Sequence, residues 1–166
     1  ALRFEVEGLR VTGRLELTGA GVASPELLTD FYKQRRFEPA WRSRSQAEEL
    51  LELISAAKAD GLDPADYHQD AVAQGVEALA TAAELTPAKR AELDILLTDA
   101  LVRLAYHQRF GKINPYTLDP QWNFRREFDA TDPVTAMQAA IDAPSLTGAS
   151  SSSSSNGLST RCSSSS

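Results

Sequence analysis

Two histidines, two neighbouring aspartates, one cysteine and an aromatic–arginine run are the residues of this 166-residue chain whose types and spacing could do chemistry. His68 and His107 stand far apart in the chain, and neither has a second imidazole or thiol at ligand spacing. A zinc site needs three or four such groups converging, so no metal is expected. Asp94 and Asp99 fall on one helical pattern, five residues apart and about 140° around it from each other, which does not make a facing acid–base pair. Asp94 and Arg103 are expected to edge the core as solvated or bridged charges. Cys162 has no second thiol with which to form a disulfide. A hydroxyl or thiol nucleophile needs a base within reach and a third group to orient that base. No Gly-x-Ser-x-Gly elbow, phosphate-binding glycine loop or dinucleotide fingerprint occurs. The residues therefore predict no catalytic side chain and no cofactor.

The aromatic–arginine run is FYKQRRFEPAW, residues 31–41, with Arg42 directly after it. Rings at element junctions commonly seal a small core. The other reading is a groove lined by rings and Arg that accepts a sugar, a peptide or another domain. Its candidate lining is Tyr32, Arg35, Arg36, Trp41, Tyr67 and Trp122.

Around these residues, 42% apolar content over about one domain's length is enough for a sizeable core. A net charge of −6, from 17 basic and 23 acidic residues, argues against nucleic acid as a partner. No apolar run approaches the roughly 18 residues of a membrane span. The N-terminus ALRFEVEG lacks an initiator Met and a cationic-then-apolar leader, and so reads as a processed or shortened chain. Residues 145–166 hold twelve serines and cannot bury enough surface to offset their ordering. They read as a disordered tail, a linker or a remnant, with the folded unit, 1–144, ending near Pro144.

The patterning is mainly α. Phe4, Val6, Leu9, Val11, Leu15 and Leu17 recur in short period-two bursts broken at Gly8 and Gly13. That spacing predicts one or two short strands within residues 1–23, with a β-hairpin turning at Thr12-Gly13. From Ser24 the pattern is helical: Ser24 caps, Pro25 takes the first position, and the helix stops before Pro39. A capping box of Ser45 with Glu48 opens the next helix, which Gly61 closes. A short DPADY turn and a weaker helix over about 70–83 come next, with Gly75 in the middle of that helix. The longest element spans about 87–110, and Leu93, Leu96, Leu97, Ala100, Leu101, Leu104 and Ala105 give it a wide apolar face. It is the central helix around which the others should pack. A last helix runs from Pro133 to about Ala143.

The order of three blocks resembles the helical scaffold domain of the large YcbB-type L,D-transpeptidases. Phe31, Tyr32, Arg35, Phe37, Pro39 and Trp41 match the first block, F-Y-x-x-R-x-F-x-P-x-W. Asp60, Gly61, Leu62, Pro64, Asp66 and Tyr67 match D-G-L-x-P-x-D-Y. Leu93, Asp94, Thr98, Asp99, Ala100, Gly111 and Pro115 match L-D-x-x-x-T-D-A and its G-x-x-x-P sequel. The similarity covers about residues 24–125.

The resemblance implies a periplasmic envelope enzyme whose scaffold sits beside a peptidoglycan-binding module and a YkuD-like catalytic domain. That domain forms 3-3 crosslinks through a Cys in a Ser-x-Gly-Cys-x-Arg setting. Ser159-Thr160-Arg161-Cys162 imitates the spacing, but Arg161 stands where the family has Gly, and Cys162 reads as tail. The expected function is thus a non-catalytic scaffold domain whose partners are the other domains of the same enzyme. The alternative is a stand-alone helical module that binds peptidoglycan or a partner protein through the aromatic and Arg rim.

Overall fold

Every position from residue 91 to residue 100 is buried, so the middle of the longest helix is enclosed on all sides. The computed structural model describes residues 1–15, 19–81, 85–110 and 132–146, apart from the side chains of Arg109 and Phe110. Among these residues lie six α-helices: α1 (Leu2–Thr12), α2 (Pro25–Gln34), α3 (Arg44–Ala56), α4 (Gln69–Ala80), α5 (Pro87–Phe110) and α6 (Pro133–Asp142). Helices α1 to α4 all pack on α5, and α6 lies against α2. The mainly helical architecture around one long helix is as the patterning predicts. Its central helix differs in one respect: it buries its full circumference over residues 91–100, where a single wide face was expected.

The N-terminal strands are a misreading of period. Leu2, Glu5, Val6 and Leu9 are the buried residues of α1, a spacing of three, four and seven that belongs to a helix. Phe4 and Val11, which made the pattern look alternating, point outward. Gly13 ends α1 in the left-handed region at φ 67° and donates its N–H to the Leu9 carbonyl at 2.7 Å. Beyond Gly13 an isolated antiparallel bridge joins Arg14 to Gly21. Leu17 lies outside the described residues.

Pro25 opens α2 as expected, and Ser24 stands at the N-cap position without a side-chain capping hydrogen bond. The cap of α3 is Ser43, whose Oγ accepts the Gln46 N–H at 3.3 Å. Ser45 and Glu48 do not form the expected box, because Ser45 is already the second residue of the helix, and Glu48 pairs with Arg44 at 2.7 Å. After α3 the chain tightens into a 3-10 turn, Ala57–Asp60. Gly61, at φ 78°, then lets Leu62 fold back, its N–H donating to the Ala57 carbonyl. Gly75 has a packing reason: a Cβ there would collide with Leu93 Cδ1, so its absence lets α4 close on α5. The packed chain runs just past Pro144, with Leu146 buried. The rest of the Ser-rich segment, with Cys162, lies outside the described residues.

The aromatic–arginine run forms the sharpest corner. The end of α2 is closed by two back-bonds, Arg36 N–H to the Lys33 carbonyl (3.0 Å) and Phe37 N–H to the Tyr32 carbonyl (2.8 Å). This is the Schellman arrangement, in which glycine is the usual left-handed residue. Here Arg36 (φ 55°) and Phe37 (φ 59°) both occupy that region, where a Cβ costs roughly 1 kcal/mol. Arg36 is exposed, so Arg36→Gly should raise stability by about 0.5–1 kcal/mol. Urea denaturation of the two proteins checks this, and a fall in midpoint would contradict it.

Candidate functional site

A carboxylate buried in a helix needs donors from neighbouring segments, because the helix's own N–H groups are already used along its axis. Asp94 finds three. Its Oδ1 accepts the Tyr32 hydroxyl (2.8 Å) and the Ala40 N–H (3.0 Å), and its Oδ2 accepts the Trp41 N–H (3.0 Å). One turn on, the Thr98 hydroxyl accepts the Trp41 indole N–H at 3.0 Å and donates to the Asp94 carbonyl at 2.9 Å. The same hydroxyl lies 2.8 Å from Tyr32 Oη. Burial lifts the Asp94 carboxyl above its ordinary 3.8, against the lowering effect of its donors and of Arg35. Burial, followed by the adjacent Asp94 charge, holds the Tyr32 phenol well above its ordinary value.

Asp99 forms the second junction. It accepts the Ala23 N–H on Oδ1 (2.7 Å), and on Oδ2 both Arg103 Nε (2.7 Å) and His68 Nε2 (3.0 Å). Arg103 reaches on to the Gly21 carbonyl at 2.9 Å. Next to this cluster, Tyr67 Oη and His107 Nδ1 share a hydrogen bond of 2.7 Å. Burial pushes the Tyr67 hydroxyl up to about 12, so it stays a neutral phenol near pH 7. Asp94 is not the edge charge expected of it, since the segments packed over α5 enclose it as they do Asp99, whereas Arg103 is bridged as expected, to Asp99. Both histidines are half-buried and bonded: His68 holds the start of α4 to α5, and His107 meets the 3-10 turn Pro64–Tyr67.

Of the six candidate lining residues, Tyr32, Trp41 and Tyr67 are buried, at 0%, 3% and 0% exposure. Their rings fill the interior and present no stacking surface. Arg35 is also not at the rim. Its side chain is 10% exposed, lies 5.5 Å from the Phe31 ring centre and grips both Asp142 oxygens at 3.1 and 3.0 Å. It thereby fastens α6 to α2. Arg36 is exposed, and Trp122 lies outside the described residues. The structure thus joins Tyr32 and Trp41 through Asp94 and Thr98, and places Tyr67 at the other junction. Asp94, Thr98, Asp99 and His68 are the residues that composition and periodicity did not single out as organisers. Their signal is Asp94 inside the apolar run Leu93 to Leu97: a charge there survives only if bonded.

An imidazole oriented by a buried carboxylate is two-thirds of a nucleophile–base–acid set. Among the described residues no hydroxyl or thiol hydrogen-bonds His68, and the pair acts as a strut between elements. A cleft of about 450 Å³ between α4 and α5 is lined by Gly75, Lys89 and Leu93, and by none of the six candidate residues. What the arrangement does is hold five segments at fixed positions on one rod.

A family model described as a scaffold domain matches residues 26–154. Among curated proteins and solved structures no match is found.

Asp94→Asn tests the first junction. An amide offers one acceptor oxygen and turns its NH₂ toward a donor whichever way it sits, so a loss of about 3 kcal/mol is expected. Tyr32→Phe should cost about 1–2 kcal/mol and be less than additive with it, because both changes remove one shared bond. The pH dependence has a definite sign. A carboxyl raised in the folded state binds its proton more readily there, so its contribution to stability falls as pH rises from the unfolded range through the folded value. The advantage of wild type over Asp94→Asn should therefore be largest at acid pH and shrink toward neutrality in urea titrations. A margin that grows with pH would contradict the raised carboxyl.

Proposed function

This chain belongs to the scaffold domain family, and from that membership we propose that it is the non-catalytic scaffold of a periplasmic L,D-transpeptidase that crosslinks and remodels peptidoglycan. On this reading the nucleophile is carried by a separate YkuD-like domain of the same enzyme, and glycan contacts by a peptidoglycan-binding module. The scaffold supplies a fixed frame for both.

One observation carries the proposal. Several of the residues that match the three blocks of the transpeptidase scaffold are among the joints of this fold. Tyr32 and Trp41 come from the first block, Gly61 and Tyr67 from the second, and Asp94, Thr98 and Asp99 from the third. Tyr32, Trp41, Asp94 and Thr98 meet in one bonded cluster on α5, and Tyr67 bonds the same helix at His107. Blocks far apart in sequence that bond one another on a single helix support an inherited frame, since chance matches would have no reason to meet.

The purified chain, incubated with disaccharide-tetrapeptide muropeptides, should yield neither crosslinked dimers nor trimmed stems by mass spectrometry; turnover would defeat the proposal. In sedimentation with purified sacculi at about 0.15 M salt, where weak surface charge is largely screened, the chain should remain in the supernatant. Specific retention would favour a peptidoglycan-binding module instead.

A further inference from the structure

The two large apolar side chains left exposed among the described residues, Phe4 at 66% and Val11 at 86%, lie on the same helix. Seven residues apart, they are about 20° from one another around α1 and roughly 10 Å apart along it. Between them Gly8 is open, with no atom within 4 Å of where its Cβ would be. Along one edge of this stripe, again seven apart, stand Arg3 and Arg10, and Arg14 lies just past the helix. Of the two acidic residues in α1, Glu5 is buried, and Glu7 is tied to Arg3 at 2.9 Å. In a chain of net charge −6, this face therefore combines protruding apolar groups with net positive charge.

We propose that the outer face of α1 is a docking surface for an anionic lipid headgroup layer, with Phe4 and Val11 entering the interface and Arg10 and Arg14 meeting lipid phosphates, Arg3 being held by Glu7 and the Phe37 ring. Apolar side chains flanked by Arg on a surface helix are what such an interface selects. Two exposed apolar groups with open space at Gly8 between them suit a deformable layer. No described helix is long and apolar enough to cross a membrane, so the contact lies on the surface. The acidic remainder of the chain opposes binding only weakly, because charges more than about 8 Å from the surface are screened at physiological salt. The proposal stands apart from the transpeptidase reading, since α1 precedes residues 26–154.

The test is flotation of the intact chain with vesicles of phosphatidylcholine alone, or of equal parts phosphatidylcholine and phosphatidylglycerol, up to a few millimolar lipid. The expected result is binding to the anionic vesicles, weakened by about fivefold in Arg10→Gln and by about tenfold or more in Phe4→Ser/Val11→Ser. It should also be lost in 0.5 M salt. The substituted positions are all exposed, and circular dichroism should show the helix content unchanged. No flotation on phosphatidylglycerol vesicles, or flotation that Phe4→Ser/Val11→Ser leaves intact, would overturn the proposal. Self-association in sedimentation equilibrium that these substitutions abolish, without vesicle binding, would assign the face to a second copy of the chain instead.

Discussion

The structure depends on satisfying a carboxylate inside an enclosed helix. Asp94 sits where α5 is buried all round, and an unpaired charge there would cost several kcal/mol. Its donors cannot come from α5. They come from the end of α2 and the turn after it, which fixes Tyr32, Ala40 and Trp41 relative to the rod. The direction of the Asp94 shift shows that burial outweighs these donors.

Asp99 applies the same logic on another side of α5. It collects the segment before α2 through Ala23 and the segment before α4 through His68, with Arg103 supplying charge from its own helix. Hydrogen bonds have narrow distance and angle requirements, whereas apolar contacts tolerate sliding. Two polar joints on one rod thus fix the register of the helices more tightly than burial alone would. For a scaffold domain, that rigidity is the useful property: a partner domain held by such a frame keeps its orientation.

The corner between α2 and α3 shows how this positioning overrides local preference. Arg36 and Phe37 both take left-handed backbone, which isolated residues of these types avoid. They are held there because Tyr32 below and Ala40 and Trp41 beyond are already bound to Asp94. The chain has only a few residues in which to reverse. Arg35, just before the turn, is drawn inward to grip Asp142 and brings α6 onto α2.

Much of the helical framework was legible from local signals. Pro25, Pro87 and Pro133 at helix starts and Gly61 at a helix end act through backbone geometry, which neighbours in sequence determine. The length of α5 and the breaks around it arise from the same signals. The nature of residues 1–12 did not, because Phe4 and Val11 blur the period, and only the surface that α1 packs against selects Leu2, Val6 and Leu9 as its inner face. Nor could the roles of Asp94, Asp99 and the histidines be read from the sequence. An aspartate on a helix is a rim charge or a buried joint according to what covers it, and Tyr32 and Trp41 are a binding surface or a core according to the same fact. Local propensity acts over a few residues, whereas burial and hydrogen-bond partners are set by segments tens of residues away. The sequence by itself therefore determined where α2 to α6 form, and the tertiary structure alone decided the state of residues 1–12, which polar groups are enclosed and what each one holds.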